Sequence, residues 1–121
     1  MKTTRIEVLF VLLILFTASA LLAQPTRSTP EERAQQLKEQ LSLSDDQTEK
    51  VTTILIESEK KREAIFDETD GDRKVMRSKM VSLMKETDKK IDALLTNDQK
   101  EKYDELKKER RQQMKQRSGK G

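Results

Sequence analysis

The chain has no cysteine, no histidine and no tryptophan, and only two prolines and three glycines among its 121 residues. Without thiols or imidazoles, disulfides, thiolate nucleophiles, histidine bases and Cys/His zinc sites are excluded together. Carboxylates alone can still ligate a hard cation or move protons, but that work needs a dry pocket. The aromatic complement is three phenylalanines and one tyrosine, and two of the phenylalanines, Phe10 and Phe16, lie near the N-terminus. From Gln24 onward the chain carries 24 apolar residues against 44 charged ones, so it has little with which to enclose a pocket. The expectation is that the protein is not an enzyme, with no catalytic residues, no cofactor and no metal.

The one long hydrophobic run is confined to the start. Lys2 and Arg5 precede an apolar stretch from Val8 to Phe16, and Thr17-Ala18-Ser19-Ala20 follows. This is the layout of a secretory signal peptide, assigned to residues 1–23, with cleavage after Ala20 or after Ala23. The apolar segment is shorter than the ~20 residues of a spanning helix, so stable membrane insertion is not expected after cleavage. The remainder is expected to be exported from the cytoplasm.

Charge is divided unevenly along the exported part. Residues 24–106 sum to −4, whereas residues 107–121 sum to +6. In an intracellular protein that basic end would suggest nucleic acid. In an exported one it is expected to be a solvated C-terminal tail with a disordered end, and no nucleic-acid partner is expected.

What the body does contain is helix signal. Residues 24–28 form a polar linker with Pro25, and a helical domain is expected over residues 29–106. Thr29-Pro30-Glu31-Glu32 combines an N-cap, a proline at the first helical position and a capping glutamate, predicting a short helix to about Gln40. Leu43-Ser44-Asp45-Asp46-Gln47 is a second capping box, and Leu95-Thr96-Asn97-Asp98-Gln99 repeats it 52 residues later. Apolar stripes at a 3.6 period lie between them. One comprises Val51, Ile54/Leu55, Ser58, Arg62 and Ile65/Phe66; the other comprises Met76, Met80, Leu83, Thr87, Ile91 and Leu94. The fold class is all-α, about four helices with short connections. A last, thinly apolar helix runs from Asn97 to about Arg117.

The acidic stretch 67–72 invites a calcium-loop reading, which fails because Phe66 and Arg77 fall where the EF-hand needs carboxylates. It is expected to be a loop with Asp70 or Asp72 capping the next helix. Ser58 and Arg62 interrupt their stripe, so part of that face is expected to be wet or to meet a surface that tolerates charge. Glu57–Lys61 and Glu86–Lys90 are expected as i,i+4 pairs on exposed faces.

The paired L-[ST]-x-x-Q motifs at Leu43-Ser44-Gln47 and Leu95-Thr96-Gln99, about fifty residues apart in a small exported helical chain, resemble the Spy/CpxP family of periplasmic proteins. The similarity covers residues 41–106. It implies a thin antiparallel helical hairpin assembly forming a cradle-like homodimer, and an ATP-independent chaperone that binds unfolded or partly folded clients. The alternative is an envelope-stress regulator with a dedicated partner such as a membrane sensor domain. The motif residues themselves are structural caps. Client binding is expected instead at Arg62, Arg73, Arg77, Met80, Met84 and Lys85, because flexible methionines ringed with cations suit a promiscuous surface.

Overall fold

The structure, a computed structural model, describes residues 27–119. Four helices account for nearly all of them: α1 (Pro30–Leu41), α2 (Asp45–Thr69), α3 (Arg73–Asp92) and α4 (Asn97–Ser118). No strand occurs among the described residues. The expected signal peptide and its cleavage sites, and most of the linker, lie outside them.

Each helix begins where the sequence supplies a cap. Thr29, Ser44 and Thr96 all close full capping boxes, with Glu32, Gln47 and Gln99 as the reciprocal partners. For α3 the cap is Asp72, whose carboxylate accepts from the N–H groups of Lys74 and Val75. Asp70 instead ends α2 in the left-handed region, at φ 40°, and Gly71 follows at φ 84°. Glycine suits that position because a Cβ disfavours positive φ. The first helix ends with Ser42, also left-handed, and the Leu43 N–H reaches back to the Lys38 carbonyl. This closure turns the chain within three residues and drops Leu43 into the core.

α1 packs on α2, α2 forms an antiparallel hairpin with α3, and α4 packs on α1. The core gathers at one end of the hairpin: Ala34, Leu41, Leu43, Val51, Leu55, Ile91, Leu95 and Tyr103 form a single cluster. Beyond Ser58 and Thr87 the hairpin continues as an arm whose base, at Arg62, still lies near Arg33 of α1 and Arg110 of α4. There the only buried residues are Leu83 and Thr69.

The two interruptions of the α2 stripe have different fates. The Thr87 hydroxyl donates to the Ser58 hydroxyl at 3.1 Å, a polar pair at the base of the arm. Arg62 is half-buried and reaches Glu59 on its own helix at 3.6 Å. The exposed-face pairs also differ in part from expectation. Glu86–Lys90 forms within α3, but Lys61 turns to Glu86 and Glu57 to Lys90, so both α2 side chains bridge the hairpin instead of pairing with each other. Facing helices offer these charges a partner across the groove, and that partner displaces the one along the helix.

The last helix, expected to about Arg117, runs unbroken to Ser118, so the basic segment from Lys107 onward is helical rather than a loose tail. Lys107 is held by Asp92 at 2.9 Å and Asp104 at 2.8 Å, and lies over the Tyr103 ring at 4.9 Å. Arg110 is held by Asp88 at 2.6 Å. Acidic groups on α3 thus carry the helix past the point where its apolar residues run out. From Arg111 onward every described residue is exposed.

Candidate functional site

The six expected client-binding residues all fall on the arm, along two helices. Arg73, Arg77, Met80 and Met84 follow at intervals of three or four residues and therefore share one face of α3. Val81, four residues after Arg77 and 40% exposed, joins them, and the stripe ends at Asp88. Arg62 lies on α2, one turn before Phe66, which is 46% exposed. Met80 and Met84 are half-buried; Arg73, Arg77 and Lys85 are exposed and make no ion pair among the described residues. Lys85 stands one position off the stripe and does not share its face. Spacing alone signalled the stripe; Phe66 and Val81 were legible as apolar residues but not as exposed ones.

The hairpin's other side holds a shallow groove of about 390 Å³, between Lys61, Ala64 and Ile65 on α2 and Ser82, Leu83 and Glu86 on α3. The ion pairs Lys61–Glu86 and Lys79–Glu68 span it. None of the six expected residues lines it. Small side chains at Ala64 and Ser82 leave the two helices incompletely filled against each other, so the arm presents different chemistry on its two sides.

Where the arm meets the core, the chemistry becomes polar. Tyr103 on α4 is buried, and its hydroxyl donates to Asp88 at 2.8 Å. Burial first, and then the bond and charge of Asp88, push this phenol well above its ordinary value of 10.0. The unfolded chain would release the proton near pH 10 while the native state retains it. The contribution to stability is therefore complete below that pH and is lost as pH rises above it. Thermal unfolding followed across the alkaline range should show the melting temperature falling beyond about pH 10. Tyr103→Phe should remove this part of the fall and cost about 1 kcal/mol at neutral pH through the lost hydrogen bond. An unchanged alkaline profile in that variant would contradict the assignment.

The capping boxes do more than start helices. Gln47 accepts from the Ser44 N–H with Oε1 (3.0 Å) and donates with Nε2 to the Leu94 carbonyl (2.8 Å). Gln99 does the same from the other motif, accepting from Thr96 N–H (3.0 Å) and donating to the Ser42 carbonyl (3.3 Å). The two amides also bond each other, at 2.8 and 3.1 Å. Leu43 and Leu95 sit buried beneath them. The repeated motif is thus a reciprocal clasp that joins the start of α2 to the start of α4, a role its separate copies did not reveal in the sequence.

Among the described residues no group of three or more carboxylates is placed to hold a metal ion, and no helix is long and apolar enough to cross a membrane. No family model, no curated protein and no solved structure matches this chain.

Proposed function

We propose that the protein is an exported, ATP-independent chaperone of the Spy/CpxP type, working as a homodimer in the periplasm and holding unfolded or partly folded chains against aggregation. The observation that carries this reading is the arm. It extends beyond the core and buries little, yet keeps Phe66, Val75 and Val81 between 40% and 46% exposed and also carries Arg73, Arg77 and Lys85 in the open. Half-exposed apolar side chains and mobile methionines give contact with any unfolded chain, while interspersed charge keeps each contact weak and reversible.

Dimerisation follows from the same shortage of burial. A two-helix arm with Leu83 as its one buried large apolar residue gains little on folding against its chain entropy, and a second copy laid along it would cover the stripe in part. A stably folded monomer in sedimentation at micromolar concentration would refute that arrangement.

The functional test is light scattering from a chemically denatured client, with purified residues 24–121 and no ATP. Suppression at near-stoichiometric ratio should be seen with two unrelated clients, and Phe66→Ser combined with Met84→Ser should abolish most of it while leaving the helical circular dichroism intact. No suppression by the folded protein would replace this reading with the dedicated-partner regulator.

A further inference from the structure

At the base of the arm, charged side chains from all four helices converge, and their ionic partners do not balance. Asp88, on α3, has a side chain only 16% exposed, and both its oxygens are taken, one by Tyr103 and the other by Nη2 of Arg110. Arg110 keeps a buried Nε with no acceptor. Arg62, on α2, holds Glu59 only loosely, at 3.6 Å, and both side chains are 28% exposed. Arg33, on α1, is half-buried and makes no ion pair or side-chain hydrogen bond among the described residues. Burial, followed by the charge of Arg62, holds the Arg33 guanidinium below its ordinary value; Glu59 opposes this, and Arg110 adds to it.

A long arginine side chain ordinarily relieves such a situation by swinging into water. Here Arg33 stays half-covered beside two like charges. Three guanidiniums face two carboxylates, one already holding Tyr103 and Arg110 and the other weakly engaged. A planar fork of N–H donors with no acceptor is suited to one kind of ligand, an oxyanion that accepts two hydrogen bonds at once.

We propose that Arg33 and Arg62, backed by the field of Arg110, form a binding site for a single oxyanion, a carboxylate or a phosphate group, at the junction of α1, α2 and α4. Arg33 and Arg62 supply the donors because neither holds a close carboxylate partner, whereas Arg110 is anchored on Asp88 at 2.6 Å. The site does not depend on the chaperone reading. In a chaperone it would take an acidic side chain or the C-terminal carboxylate of a client; otherwise it would take a free anion.

The test follows the arginine Nε–Hε resonances by nuclear magnetic resonance at constant ionic strength, with chloride as the balancing salt. Three probes are titrated: inorganic phosphate, an N-acetylated dipeptide with a free C-terminal carboxylate, and the same dipeptide amidated. Saturable movement of the Arg33 and Arg62 signals with phosphate or with the free-acid dipeptide is expected. Arg33→Gln should weaken it about tenfold, as the loss of a charge-assisted pair of hydrogen bonds requires. Arg62→Gln provides the same check should the first variant fold poorly by circular dichroism. Binding of the acid but not the amide supports the site and identifies a polypeptide source; binding of phosphate alone supports it with a free anion. Movements that never saturate with either anion, or that Arg33→Gln and Arg62→Gln both leave unchanged, would overturn the proposal.

Discussion

Leu55→Ala is expected to destabilise the protein by about 3 kcal/mol, because it removes most of a side chain that is 2% exposed and leaves a cavity its neighbours cannot close. For a domain of this size each kcal/mol moves the midpoint by several degrees, so the melting temperature should fall by roughly 15 °C. The effect is large in proportion to what there is to lose. The cluster contains eight buried residues, and Leu55 is among its largest fully buried side chains. The matching substitution on the arm should behave in the opposite way. Phe66→Ala removes a larger side chain, but one that is 46% exposed, and should shift stability by no more than about 0.5 kcal/mol. Under the proposed function that second variant should instead lose suppression of client aggregation. Circular dichroism melts of the two variants, read beside light scattering, separate core from binding surface; equal melting losses would mean that the arm is packed as tightly as the core.

Periodicity made most of this division legible. The α3 stripe of Met76, Met80, Leu83, Thr87, Ile91 and Leu94 is buried or half-buried along its length, and the helix starts fall at the expected caps. A 3.6 period identifies which face turns inward, but it does not say where a partner helix stops. Hence Ile65 and Phe66, drawn on the same stripe as Leu55, become half-buried and exposed once α1 and α4 no longer reach them. Arg33 and Arg110 were missed for a related reason. Arg33 precedes Ala34 and lies one turn before Leu37, and Arg110 lies one turn after Leu106, so each could be placed on an inward face. Their convergence with Arg62 depends on three helices that are distant in the chain. The end of α4 was legible to within one residue, but its support by Asp88 and Asp92 across the packing was not.

The glutamines of the two repeated boxes provide the sharper experiment, since α1 carries a built-in comparison. Its box uses Glu32, whose carboxylate accepts from the Thr29 N–H and has nothing further to do. At α2 and α4 the same position is Gln, and the amide nitrogen is needed as a donor to Leu94 or Ser42 and to the opposite amide. Gln47→Glu preserves the cap, because a carboxylate accepts from Ser44 N–H at least as well and sits favourably at a helix N-terminus. It also aims that carboxylate at two acceptors, the Leu94 carbonyl and the Gln99 oxygen. If capping were the whole role, the substitution should be neutral or slightly stabilising. With the clasp in place it should instead cost about 2 kcal/mol or more, as much as Gln47→Ala, because acceptors lose their donor and face a charge. Gln99→Ala should cost a similar amount. The double alanine variant should cost less than the sum of the two singles by about 1 kcal/mol, since each single already breaks the amide pair. Chemical denaturation of the four variants measures all of this together. Additive losses with a neutral Gln47→Glu would reduce the motif to two independent caps. A shared loss would mean that the repeated motif joins the two halves of the fold, and that both copies must carry Gln for one reason.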